Sequence, residues 1–172
     1  MQAGEQALQA RVSLRGAGGV NVETGLSVLD HLLELLATYA GLDLALEVAP
    51  GGPDATTAAA GRSLGEALRD FVRADGVKGY GWAIVPADEA LASVGLEASD
   101  RPLLVTNVDL SDAHVAGLER DLVTAFLNEL SEAAGLTLHV RLLHGEDAGH
   151  VLESIFKALG GALAVAGSPR KE

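Results

Sequence analysis

Two hydrophobic rhythms alternate along the chain. Leu26, Leu29, Leu32, Leu33 and Leu36 recur every three or four positions, the spacing that lays an apolar stripe along one face of a helix; this run extends from Val28 to Tyr39. The same rhythm predicts helices from about Thr56 or Thr57, as candidate caps, to Val72, from near Gly117 through the run Leu122 to Ala133, and from about Gly149 to Val165. Period-two alternation instead marks strands. It predicts an edge strand within residues 5–14 (Leu8, Ala10, Val12, Leu14), a second at Val20 and Val22, and others at Leu42 to Val48, Ala83 to Val85, Leu91 to Ala98, Leu103 to Leu110 and Leu136 to Leu143. Glycine and proline punctuate these elements, most clearly at Arg15 to Gly19, Pro50-Gly51-Gly52-Pro53 and Asp100-Arg101-Pro102.

The order of elements repeats. Ala40-Gly41-Leu42-Asp43-Leu44 reads against Ala134-Gly135-Leu136-Thr137-Leu138, and with one extra residue in the later loop Leu64-Gly65-Glu66-Ala67-Leu68 reads against Leu159-Gly160-Gly161-Ala162-Leu163. Each anchor is preceded by a leucine-rich helical run, so each copy reads helix, strand, loop, helix. The expectation is one domain over 1–172 built of two similar halves, about 1–80 and 81–172. A hydrophobic content of 48% in 172 residues is ample for a shared core.

Composition narrows the function classes. A net charge of −12, with three Phe, two Tyr and one Trp, argues against binding a phosphate backbone or stacking on bases. The absence of cysteine excludes disulfides, thiolate nucleophiles and zinc-thiolate sites. The first residues, MQAGEQALQARVSL, lack a basic region followed by an apolar core, so a cytoplasmic protein is the simplest expectation. The most apolar tract, Val151 to Val165, carries Glu153 and Lys157 and is shorter than a bilayer span, so it reads as a buried helix and no membrane partner is expected. The glycines at 16, 18 and 19 lack the order of a phosphate loop.

Candidate chemistry is sparse. His150 and Glu153, three apart on one helix face, are a donor pair suited to a transition metal. The earlier copy has Ala55 and Ala58 at the matching positions. His31 and Glu34 repeat the spacing in the first helix, where a histidine edging the leucine stripe is the plainer reading. His139 and Arg141 project from one face of a strand. His114 and His144 read as incidental.

The strings Thr24 to His31, Val85 to Leu91, Asp100-Arg101-Pro102, Leu136 to Glu146 and His150 to Leu159 resemble, in order and spacing, the imidazoleglycerol-phosphate dehydratases of histidine biosynthesis. The resemblance implies an α/β (α+β) fold of two fused halves, each a four-stranded sheet with two helices, the helices packed between the sheets. It also implies a homo-oligomer, trimers assembling into a 24-subunit shell, with two manganese ions at subunit boundaries. In the family reaction the metals hold the substrate imidazole and water is lost to give imidazoleacetol phosphate.

Carried onto this sequence, the family's metal ligands fall on His31, on a first His-His-x-x-Glu box, on His139 and on a second box. The first box reads Asp54-Ala55-Thr56-Thr57-Ala58, with only Asp54 left as a donor; the second reads Gly149-His150-Val151-Leu152-Glu153. The resemblance thus leaves His31, His139, His150 and Glu153, and implies one weak metal site at most. For substrate phosphate it implies Arg101 and Lys157, with Lys78 beside the position of a further arginine and Lys171 in the tail. Glu5 matches a family glutamate that moves a proton. Two expectations follow: a dehydratase whose activity is impaired or lost, or a non-catalytic paralogue that keeps the fold, the oligomer and a pocket for a phosphorylated imidazole or another anion.

Overall fold

The computed structural model describes residues 9–14, 19–108 and 120–171. Its elements are β1 (Ala10–Ser13), β2 (Asn21–Glu23), α1 (Ser27–Ala40), β3 (Ala45–Val48), α2 (Pro53–Phe71), β4 (Tyr80–Ala87), β5 (Ala90–Ala98), β6 (Leu103–Thr106), α3 (Arg120–Ala134), β7 (Leu136–His144) and α4 (Ala148–Ala166). The described residues form one sheet in the order β1-β3-β2 and a second in the order β4-β5-β7-β6. In both, the strand that follows a helix pairs antiparallel on one side (β3 with β1, β7 with β5) and parallel on the other (β3 with β2, β7 with β6). The first sheet thus has three described strands rather than the four expected. Residues 1–8, with Glu5, lie outside the described residues, as do His114, the turn at 15–18 and the expected start of α3 at Gly117.

Helices fill the space between the sheets. α1 and α2 lie on the first sheet, α3 and α4 on the second, and the pairs α1/α4 and α2/α3 join the layers. The leucine stripe of α1 explains its place: Leu29, Leu32, Leu33 and Leu36 are buried, each removing apolar surface from water. At the centre the rings of Phe126 and Phe156 meet at 5.5 Å, tilted by 36°. α4 is long and apolar enough to cross a membrane, yet Val151, Leu152, Ile155, Phe156, Leu159 and Leu163 are buried against the sheet and α1. It is a core helix.

Both joining pairs run parallel and cross at a glycine. A Cβ on Gly160 would meet Leu36 O, Tyr39 Cβ and Ala40 N; one on Gly65 would meet Leu130 O, Ala133 Cβ and Ala134 N. Small residues there let the helix backbones approach closely. Because β2 runs parallel to β3 and β6 parallel to β7, all four helices begin at the same end of the molecule.

Several boundaries differ from expectation. α2 begins at Pro53, after Gly52 in extended conformation, because proline at the first helical position needs no hydrogen-bonded N–H. Thr56 and Thr57 are therefore buried inside the helix and cap nothing. β3 is shorter than Leu42 to Val48, since the left-handed Gly41 and the turn after it carry the chain through Leu42 to Leu44 first. β6 ends at Thr106, where Asn107 turns its side-chain amide onto the backbone of Leu142 and replaces the ladder.

Among the described buried side chains, the Thr57 hydroxyl alone has no hydrogen-bond partner. Thr57→Val keeps the shape and removes the stranded hydroxyl, so unfolding free energy should rise by about 1 kcal/mol and the melting temperature by roughly 2–4 °C. A lower melting temperature for the valine variant in a thermal melt would contradict this.

Candidate functional site

The shared end of the four helices gathers most of the expected metal donors. Asp30 orders the entry to α1: its Oδ1 accepts from the Thr24 amide at 2.9 Å and from the Thr24 hydroxyl, whose oxygen in turn accepts from the Leu26 amide at 3.1 Å. The next residue, His31, is thereby set on the outer edge of α1, and its Nε2 lies 3.2 Å from Glu153 Oε1 on α4. Glu34 takes no part in this contact.

His150 is held from a different direction. Asp147 caps α4 by accepting from the His150 amide at 3.0 Å. The β4–β5 turn, with Asp88 at φ 53°, brings Glu89 against the same helix start. Glu89 Oε1 accepts from the amides of Asp147 (2.7 Å) and Glu146 (3.2 Å), and its Oε2 lies 2.7 Å from His150 Nδ1. The Glu89 carbonyl also lies 2.9 Å from His144 Nδ1, so His144 is tied to this turn. With Nδ1 directed at a carboxylate, His150 presents Nε2 outward, as a metal-ligating histidine does.

These contacts set the charges. The Asp147 amide above all, then His150 and the Glu146 amide, hold the Glu89 carboxyl down at about 2 against the effect of partial burial. The hydrogen bond to Glu89 raises His150, opposed by desolvation and helped by the charges of Glu89, Asp147 and Asp88. A lowered carboxylate stabilises the fold above its unfolded value of 4.5, and that contribution is lost as pH falls toward 2. A raised histidine stabilises below 6.5, and that contribution is lost as pH rises through its folded value. The melting-temperature gap between the wild type and Glu89→Gln should therefore be widest between pH 4.5 and 6.5. A gap that stays flat from acid to alkaline pH in thermal melts would remove the ion pair from the account.

Glu89 is the residue that sequence reasoning missed. It sits in one of the recognised strings, but nothing local links it to His150, 61 positions away; the β4–β5 hairpin alone makes the connection. Asp88, Glu89 and His150 offer donor atoms within 4.8 Å of one another.

The remaining candidates do not join this cluster within one chain. Leu138 and Val140 are buried, so His139 between them points to the outer face of the second sheet, away from the helices. Its neighbours there are Gly95 and Val105, and it meets neither His31 nor His150. Arg101 is exposed in the β5–β6 turn, where its backbone N–H donates to Ser99 Oγ and its carbonyl accepts from Thr137 Oγ1. Lys78 lies beside the chain's C-terminal segment, with its amide on Ser168 O and its carbonyl taking Arg170; Lys171 is exposed next to it. These three lie at the opposite end of the helices from His150, a separation of about 24 Å along α4 from His150 to Ala166. Arg73 shows what a cation does at that end: it donates to the carbonyls of Ala134 and Gly135, where the dipole of α3 favours positive charge. Lys157 alone bridges the gap, on the α4 stripe of His150 and Glu153, its ammonium 5.7 Å from the centre of the Tyr39 ring.

A family model described as imidazoleglycerol-phosphate dehydratase matches residues 24–163. The chain belongs to the imidazoleglycerol-phosphate dehydratase family. Within that dehydratase family it is 38% identical over 171 residues to a protein of Desulfitobacterium hafniense, covering 96% of this chain and 86% of that one. A relative from Syntrophobacter fumaroxidans is 40% identical over 164 residues, covering 92% and 83%. The solved dehydratase of Staphylococcus aureus superposes with a TM-score of 0.86 at 31% identity, covering 96% of each chain. That of Pyrococcus furiosus, solved in complex with (S)-C348, gives 0.83 at 30% identity, covering 95% of this chain and 90% of that one. The dehydratase match takes in His31, Arg101, His139, His150, Glu153 and Lys157, and stops short of Lys171.

Proposed function

We propose that this chain is an imidazoleglycerol-phosphate dehydratase-like protein of histidine biosynthesis whose own dehydration of imidazoleglycerol phosphate is severely impaired. The observation that carries this reading is the donor set at the shared helix end. A tight octahedral site takes six ligands, commonly three or more from the protein. Here the first turn of α2 after Pro53 carries Asp54 and Ala55, with Ala58 one turn on, so it offers a single carboxylate. His31 and Glu153 satisfy each other, and His150 shares Glu89 with two backbone amides. His139 faces the other way. These residues do not fit two manganese ions; the Asp88, Glu89 and His150 group has room for one.

The rest of the machinery is anion chemistry. Lys157 is the cation on the same α4 stripe as His150 and Glu153, and it would take the phosphate of a bound imidazole phosphate by charge. Arg101, Lys78 and Lys171 would reach such a ligand only from a neighbouring copy, since within one chain they lie at the far end. The duplication of two halves is part of the same proposal, supported by Gly65 and Gly160 meeting matching atoms of α3 and α1.

Manganese analysis of the metal-loaded protein, coupled to the dehydration assay, tests this reading. Fewer than two ions per chain with little turnover is expected; two ions with ordinary turnover would overturn it. The alternative of a non-catalytic paralogue is favoured by one feature: the buried core and both glycine crossings are intact while the start of α2 keeps a single donor, Asp54. A second dehydratase gene with complete boxes in the same genome would select it.

A further inference from the structure

At the end of the molecule opposite His150, where the helices finish, a cavity of about 520 Å³ opens, within the roughly 300–1,000 Å³ of small-molecule sites. Its walls come from three helix ends. Leu42 enters just after Gly41 closes α1, Asp70 and Phe71 belong to the last turn of α2, and Gly167 caps α4. Leu14, after β1, and Val77, after α2, complete an apolar lining. Gly167 has a right-handed backbone that any residue adopts, so its missing side chain answers to space: a Cβ there would lie 2.2 Å from Phe71 Cζ. The notch at Gly167 takes the edge of the Phe71 ring, and the ring forms one wall.

Electrostatics select the occupant. A helix carries partial negative charge at its C-terminus, and the C-termini of α1, α2 and α4 converge on this cavity. The last turns of α1 and α4 hold no basic side chain. The basic residues at the end of α2 are turned away: Arg69 and Arg73 reach Gly135 beyond α3, where Arg73 donates to the carbonyls of Ala134 and Gly135. Arg170 donates to Lys78 O, and neither Lys78 nor Arg170 lines the cavity. Asp70 then adds a full negative charge at the rim, and among the described residues none pairs with its carboxylate.

Apolar walls with unanswered negative charge disfavour anions and suit a cation that carries an apolar body. We propose that this cavity binds a small organic ammonium ion, its body held between Leu14, Leu42, Phe71 and Val77 and its nitrogen at Asp70. The site is remote from the donor cluster at His150 and independent of metal and of turnover.

Phenethylammonium, with its neutral counterpart phenethyl alcohol and its anionic counterpart phenylacetate, tests this on the full chain by titration calorimetry and thermal melts. Phenethylammonium should saturate one site per chain and raise the melting temperature as its concentration rises. Phenethyl alcohol should bind about tenfold more weakly, the effect of losing one charge-assisted contact at a partly exposed carboxylate, and phenylacetate should not bind measurably. Asp70→Asn should weaken phenethylammonium by the same factor and leave phenethyl alcohol unchanged. Ala67→Phe, which puts a ring inside the cavity, should abolish both. Asp75→Asn removes a carboxylate at the same end but outside the lining, and should change nothing. Far-UV circular dichroism checks each fold; if Ala67→Phe does not fold, the exposed substitution Asp70→Asn decides alone. The proposal is overturned by an absence of saturable phenethylammonium binding, by equal binding of the three compounds, or by an Asp70→Asn protein that binds phenethylammonium as tightly as the wild type. Unchanged binding to a folded Ala67→Phe protein does the same.

Discussion

Supplied with manganese, the purified protein is expected to dehydrate imidazoleglycerol phosphate at least about a thousandfold more slowly than a dehydratase with both His-His-x-x-Glu boxes complete. Lewis-acid stabilisation contributes several kcal/mol to such a reaction, and about 4 kcal/mol corresponds to a thousandfold in rate. The expected deficit rests on the proposed reading that the start of α2 is short of metal donors. The start of α2 shares the molecular end with His31 and His150, yet beyond Asp54 it brings only the methyl groups of Ala55 and Ala58. Metal content separates this cause from others. A slow protein that nevertheless holds two ions per chain would put the defect elsewhere, and turnover within tenfold of an intact dehydratase would refute the expectation outright.

The second large effect concerns packing. Gly160→Leu should destabilise the fold by at least about 3 kcal/mol, because the first added carbon would lie 2.3 Å from Leu36 O, a backbone atom of a helix that cannot yield locally. Gly81→Val should do the same, with its Cβ 2.1 Å from Ala162 O. Against a total stability of about 5–15 kcal/mol, either change is a large fraction. Gly95→Ala is the control. Its methyl group would meet nothing within 4 Å, so denaturant unfolding should show a change within about 0.5 kcal/mol, of either sign. Three similar midpoints would mean that glycine content, not close approach, governs these positions.

The strand and helix periods were legible because they are local. Leu29 to Leu36 announces α1, and the inward run Leu136, Leu138 and Val140 announces β7. The misread boundary of α2 has an equally local cause: Pro53 starts the helix before the threonines that looked like caps. The candidate site was legible only in pieces. His150 with Glu153 follows from helix spacing, but the partners they take, Glu89 and His31, are 61 and 122 positions away. No periodicity encodes such a meeting.

Family membership, the layered α/β plan and the poverty of metal donors at the start of α2 were determined by sequence alone, since each depends on which residue stands at a position. The tertiary structure decided which of those residues share a place. It sent His139 to the outer face by strand alternation, carried Arg101, Lys78 and Lys171 to the far end of the helices, and brought Glu89 to His150 through a hairpin turn. Spacing along the chain sets the face of an element, whereas only the packing of elements sets the distance between faces.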